Sequence, residues 1–347
     1  MIRERTTPLF PREGSGEPWT RIEIRDRTNA AHIPQPRPQQ LVPRPPPFQS
    51  ILVPIDGSRE AEHAIPYALA LAQGSGAKVT LASIFSTVQV ANDPGRFGWF
   101  EGDYQLERLR AYQDTLTARV SDASPVRIDT VLRRGRWPED DLCELGDWDA
   151  DLIVLAARRR GWWSRVWRGS ISGQIACRSR NPVLFVQAPA GPPDFAMRPR
   201  LGRVLVPLDG TPRADRGLEP AAKLAGLMES QCELLHVVRR RPYSVDWSLA
   251  YCGTPDRPDV RRAREAEQYL HHVAHGLRDM SLSARSRVIS SDRSAEDVIV
   301  QYARQSGADL IAMASRGGVG LKGLFFGSLA VRVARRATVP VLIGRSQ

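Results

Sequence analysis

The chain has 347 residues, 42% hydrophobic and 25% charged, which excludes the disordered and disulfide-stapled classes and leaves room for two domains with real cores. Its formal net charge of +11 favours anionic partners in general: nucleotide, nucleic acid, acidic lipid and acidic protein all fit. No run approaches the roughly eighteen apolar residues of a membrane helix, and the start, "MIRERTTPLFPREG", lacks the apolar core of an export signal, so the expected location is cytoplasmic.

The first segment, 1–49, includes the proline-rich "IPQPRPQQLVPRPPP" and shows no hydrophobic period; it reads as a flexible arm. From Ser50 onward short apolar runs alternate with helix-like stretches. Strands are expected at Ile51 to Ile55, Val79 to Ile84, Val126 to Leu132, Leu152 to Ala156 and Val183 to Val186. Gln187 to Gly202, rich in Pro and Gly, marks a boundary, drawn as a linker over 189–202 between domains at 50–188 and 203–347. Beyond it, strands are expected at Arg203 to Leu208, Cys232 to Val238, Ser286 to Ile289, Leu310 to Ala314 and Val341 to Ile343. Helices are expected at Ala214 to Met228, Val260 to Leu277, Ser294 to Gln305 and Ser328 to Arg336. The two halves repeat: "ILVPIDGS" at Ile51 returns as "VLVPLDGT" at Val204, with Asp56 and Asp209 153 positions apart. Continuously apolar strands alternating with helices predict parallel sheets covered on both faces.

In such sheets ligands gather beyond the carboxyl ends of strands where the strand order reverses. Asp209 follows the first strand of the second half, and the glycine-rich "ASRGGVGLKGLFFGS" from Ala314 follows the fourth. Neighbouring strands there would set a carboxylate and a phosphate-holding backbone loop around one crevice. Asp209 has a plainer use as well, ordering its own turn. Gly318, Gly320 and Gly323 match G-x-G-x-x-G, but after the wrong strand for a dinucleotide fingerprint, and Leu324 stands where a P-loop needs lysine.

V-P-x-D-G-[ST] at the first strand, A-D-L-I before the glycine-rich stretch, G-x9-G-S at Gly317 to Ser328 and a closing P-V-L strand occur in the same order as in the universal stress proteins. From Ser50 to the end the chain resembles the tandem form of that family. The resemblance implies an α/β, Rossmann-like, adenine nucleotide alpha hydrolase-like fold: two tandem open parallel five-stranded sheets with helices on both faces, paired through their last strands. It also implies an adenine nucleotide ligand, ATP with or without magnesium, in the second half. The ATP-binding branch carries G-x2-G-x9-G-[ST], which puts the second and third glycines at Gly317 and Gly327, the hydroxyl at Ser328 and the adenosine-side acid at Asp209. The implied contact set is completed by Pro207, Val237, Ala314, Arg316 and Leu329. Ala314 occupies the first glycine position; its methyl would weaken binding if the backbone there required positive φ or very close approach to ribose.

The first half departs further, with Asp56, Ala156, Arg159, Gly169 and Ser170 at the matching positions. Arg159 in place of the central glycine either meets phosphate itself or records a lost site. The expected role is a stress-linked regulatory binder. The rivals are a nucleotide-free interaction module using the Arg/Trp-rich "RRRGWWSRVWRGS" from Arg158, and a slow ATP hydrolase. No catalytic or metal constellation is evident: His271, His275 and Asp279 share a helix face without a further ligand. Cys143, Cys177, Cys232 and Cys252 are too scattered for a zinc site and read as reduced thiols. The partners expected are the nucleotide and the second domain of the same chain, with homodimerisation open and nucleic acid disfavoured.

Overall fold

Each of the ten apolar runs forms a strand in the computed structural model, which describes residues 47–86, 99–135, 144, 150–158, 179–240, 258–314 and 329–344. The first half contributes β1 (Ser50–Pro54), β2 (Lys78–Ser86), β3 (Ile128–Gly135), β4 (Leu152–Arg158) and β5 (Val183–Ala188). The second contributes β6 (Arg203–Pro207), β7 (Gln231–Arg239), β8 (Ala284–Ser291), β9 (Leu310–Ala314) and β10 (Val341–Gly344). Described helices are α1 (Arg59–Glu62), α2 (Ile65–Ser75), α3 (Trp99–Ala123), α4 (Pro212–Asp215), α5 (Leu218–Leu227), α6 (Pro258–Asp279), α7 (Ala295–Ser306) and α8 (Leu329–Arg336).

The expectation of two separate parallel five-stranded sheets is overturned. The strands form one mixed ten-stranded sheet, in the order β3-β2-β1-β4-β5-β10-β9-β6-β7-β8. Within each half neighbouring strands are parallel, but β5 and β10 pair antiparallel, with Leu342 opposite Leu184 and Val341 opposite Phe185. The physical reason is the edge: "PVLFV" and "PVLIG" would each present unpaired backbone N–H and C=O groups beside buried side chains, and each satisfies the other. The same pairing of last strands that brings the halves together abolishes their separateness as sheets.

Because both faces are covered, consecutive residues of a strand enter different cores. Leu184, Val186, Leu310, Ala312 and Leu342 join a core with α2, α3, α5 and α6 that runs unbroken across both halves. Val183, Phe185, Ile311, Val341 and Ile343 join a second core on the opposite face with α7 and α8. On the first face α2 and α5 meet across the seam, where a Cβ on Gly74 would lie 2.9 Å from the Leu227 side chain. Glycine there lets the two helices close up.

The helix expected at Ala214 to Met228 is two helices. The turn between them carries Gly217 against the end of β9: a Cβ there would lie 2.8 Å from the Ala314 backbone nitrogen. Strand ends also run longer than their apolar cores. Arg285 and Arg287 conceal the start of β8 in the sequence, because Arg285 to Val288 of this edge strand are exposed or half-buried.

Of the N-terminal arm, residues 1–46 lie outside the described residues, while Phe48 is buried at 1% exposure. Within 189–202, Phe195 and Leu201 are buried, and the Arg119 guanidinium stands 4.9 Å over the Phe195 ring. The segment between the halves is thus packed onto the first half through apolar and cation–π contacts. Among the described residues no helix is long and apolar enough to cross a membrane.

Candidate functional site

The local sequence Asp-Gly-[Ser/Thr] builds the same turn twice. Asp209 Oδ1 accepts from the Thr211 backbone N–H at 3.0 Å and from its hydroxyl at 2.6 Å. Gly210 between them adopts φ of +75°, a conformation that penalises any residue bearing a Cβ. Thr211 then accepts from Ala214 N and caps α4. In the first half Asp56, Gly57 at φ +83° and Ser58 repeat the arrangement, with Ser58 N donating to Asp56 at 2.9 Å. Ordering the turn therefore accounts for one carboxylate oxygen of each aspartate; the Oδ2 atom of Asp209 takes part in neither bond to Thr211.

A second repeated contact anchors the short helix after each turn. Tyr112 donates to Glu62 Oε1 at 2.9 Å, and Tyr269 donates to Asp215. Burial, followed by the hydrogen bond to the carboxylate, pushes both phenols above their ordinary pKa, so they remain donors. His236 meets Tyr269 edge-on at 6.4 Å. Its Nδ1 is buried with no hydrogen-bond partner among the described residues. Burial lowers the imidazole pKa, with the Asp209 carboxylate pulling the other way. Burial likewise pushes the Cys232 thiol up to about 11, so this free cysteine is an apolar core residue. Cys143, Cys177 and Cys252 lie outside the described residues.

β6 and β9 are parallel neighbours, so the strand order reverses between them. A cavity of about 250 Å³ opens at their carboxyl ends. Pro207, Asp209, Val237, Ala314 and Leu329, all singled out in the sequence, line it together. Arg316, Gly317, Gly327 and Ser328 lie outside the described residues, as do Gly318, Gly320, Gly323 and Leu324. Both chain ends of the glycine-rich stretch, Ala314 and Leu329, border the cavity. Glycines aside, positive φ among the described residues is confined to Glu229 and Ser281, so Ala314 at the end of β9 needs no left-handed backbone.

Sequence reasoning missed the apolar wall made by Leu235, Ile299, Met313 and Ala330. Two signals were available. Leu235 and Val237 are two apart on a strand and so share a face, and Ala295 and Ile299 are four apart on α7. In the first half, Asp56 and Ala156 are described, whereas Arg159, Gly169, Ser170 and the Arg/Trp-rich segment beyond Arg158 are not. Among the described residues no three His, Cys, Asp or Glu side chains converge on a metal position; His275 instead contacts Asp279 at 2.9 Å.

α8, which closes one side of the cavity, is tied to α7 by charge. Arg332 reaches Glu296 at 3.0 Å, and Arg336 reaches Asp297 at 2.5 Å. Burial raises the Glu296 pKa, but a backbone hydrogen bond and Arg332 outweigh it and hold the group below its ordinary 4.5. The Ser294 hydroxyl first, then Arg336, hold Asp297 below its ordinary 3.8. Folded values below unfolded ones mean that these pairs stabilise the protein above the unfolded pKa and lose that contribution as pH falls through the folded values. Partial exposure limits each pair to about 0.2–1 kcal/mol. Acidification below about pH 4 is expected to lower the amide protection factors of α8, taken relative to the intrinsic exchange rate at each pH. Arg336→Gln should flatten that acid dependence; an unchanged profile would remove the pair from the account.

Comparison with known proteins matches the universal stress protein family over residues 47–187 and again over 201–345. A universal stress protein of Mycolicibacterium smegmatis is 25% identical over 313 residues, covering 85% of this chain and 96% of that one. One from Thermus aquaticus is 31% identical over 142 residues, 40% of this chain and 99% of its own. The crystal structure of a universal stress protein from Archaeoglobus fulgidus superposes with a TM-score of 0.63 at 17% identity, covering 85% of this chain and 96% of that one. That likeness bears on the fold.

Proposed function

The chain belongs to the universal stress protein family, with two of its domains in tandem, and from this we propose that its second half binds an adenine nucleotide, ATP, as a regulatory ligand. The observation that carries the reading is the gathering of Pro207, Asp209, Val237, Ala314 and Leu329 around one cavity at the strand-order reversal. Val237, Ile299 and Met313 offer an apolar slot for a base, and Asp209 at the rim offers an acceptor for ribose hydroxyls. The chain between Ala314 and Leu329 carries Arg316, Gly317, Gly327 and Ser328, the residues assigned to phosphate. Magnesium would arrive with the triphosphate, since the described lining residues offer one carboxylate, Asp209.

Asp209→Asn separates the two uses of this side chain. Asparagine keeps an oxygen for the Thr211 bonds, so the turn survives, but the second oxygen becomes a donor. A hydrogen bond to a charged group contributes about 1.5–3 kcal/mol, so ATP affinity is expected to fall roughly 10- to 150-fold with the melting temperature unchanged. The check is calorimetric titration of ATP into both proteins. Equal affinities would exclude Asp209, and absence of ATP binding by the native chain would end the proposal.

A further inference from the structure

A second concavity, of about 390 Å³, lies at the seam between the halves. It is on the α5 side of the sheet, whereas the nucleotide cavity is on the side of α7 and α8, and the two share no described lining residue. Arg180, at the turn into β5, lines this second concavity together with Arg216 and Lys223 from the other half. The antiparallel β5–β10 pairing creates this meeting, because it sets the amino end of the first half's strands beside the carboxyl end of the second's.

Two carboxylates also border the groove, and both have other work. Asp151 accepts from the backbone of Gln49 at 2.8 Å and Ser50 at 3.2 Å, closing the start of β1. Glu219 pairs with Lys223 at 3.2 Å, its side chain 64% exposed against 19% for the lysine. Three cationic side chains against these two carboxylates leave the groove a balance of one positive charge. An arginine has five donors, so Arg180 and Arg216 can keep their protein contacts and still present N–H groups to an anion.

The internal repeat supplies a comparison within the molecule. At the offsets of 158 and 153 positions that relate the halves, Thr338, His63 and Ala70 stand where Arg180, Arg216 and Lys223 stand. There His63 contacts the Gly191 carbonyl at 3.2 Å, a residue of the segment joining the halves. Cations are thus collected at one of two related seams, which general surface basicity does not explain.

We propose that the seam groove binds a small multivalent anion of the phosphate class, held jointly by Arg180 of the first half and Arg216 and Lys223 of the second. Guanidinium forks and an ammonium converging on one concavity match a diphosphate or a phosphate ester better than a monovalent ion.

The experiment titrates inorganic pyrophosphate and, separately, glycerol phosphate into the full chain at constant ionic strength, read by calorimetry. Arg180→Thr and Lys223→Ala install residues that the other half carries at the related positions, and circular dichroism checks that both fold. Arg127→Ser, at a side chain 82% exposed before the far edge strand β3, removes the same charge elsewhere. The expected result is binding of pyrophosphate, alone or with glycerol phosphate, weakened about tenfold or more by each groove variant. Arg127→Ser should stay within about twofold of the native chain. Response to pyrophosphate alone identifies a diphosphate, and response to both identifies a phosphate ester terminus. No binding, equal loss in Arg127→Ser or no effect of the groove variants overturns the proposal.

Discussion

Replacing Phe185 with alanine is expected to uncouple the two halves of the sheet. Phe185 sits on β5 opposite Val341 of β10, is 2% exposed, and packs in the core shared with Val183, Val341 and Ile343. Truncating a buried phenylalanine costs about 3–5 kcal/mol through lost transfer energy and the cavity left behind. Against a total stability of about 5–15 kcal/mol that is a large share. With an unfolding entropy of about 2.1 cal/mol/K per residue over 347 residues, the melting temperature should fall by roughly 4–7 °C. The position matters as much as the cost. β5 and β10 are the strands that join the halves, so scanning calorimetry should resolve two transitions where the native chain shows one. Leu116→Ala, in α3, serves as the contrast: its side chain is also fully buried, but it lies on a helix and not on the β5–β10 pair. A similar loss of stability with cooperativity retained in Phe185→Ala would show that the seam is not where the halves are coupled.

Gly217→Ala is expected to destabilise the protein and damage the cavity in one step. The φ of Gly217 is −74°, which alanine adopts without strain, so backbone entropy alone would make the change stabilising by about 0.4–1 kcal/mol. Sterics decide otherwise. The new Cβ would meet Ala314 N at 2.8 Å, Met313 C at 3.1 Å and Ala214 O at 3.2 Å, all backbone atoms that cannot rotate away. Overpacking of this kind costs about 1–3 kcal/mol, so the net effect is a loss. Ala214, Met313 and Ala314 all line the cavity proposed to hold nucleotide, so on that proposal ATP affinity should fall with stability. Gly276→Ala in α6 is the control. Nothing lies within 4 Å of its added Cβ, and helix propensity predicts a gain of about 0.5–1 kcal/mol. Chemical denaturation of the three proteins checks both signs, and a stabilised Gly217→Ala would refute the close approach.

Much of the candidate site was readable because its residues have local reasons. Asp209 and Thr211 are two apart and build their turn by themselves, and Ala314 ends a short apolar run of strand length. The cavity's far wall was not readable in the same way. Ile299 on α7 and Leu235 on β7 are 64 positions apart in the chain, and nothing local to either says that they face one another. The broken helix at Gly217 was hidden for a related reason: its cause is a backbone nitrogen on another strand.

The sequence by itself determined the repeat, the ten strands and the two Asp-Gly-[Ser/Thr] turns, because periodicity, β-branched runs and turn chemistry act over a few residues. Only the tertiary structure decided that the two sheets are one, and that Arg180 meets Arg216 and Lys223 across a seam. An unpaired strand edge has hydrogen-bonding capacity but no address. Which edge satisfies it is a matter of whole-domain shape, and the groove of cations exists because β5 and β10 found each other antiparallel.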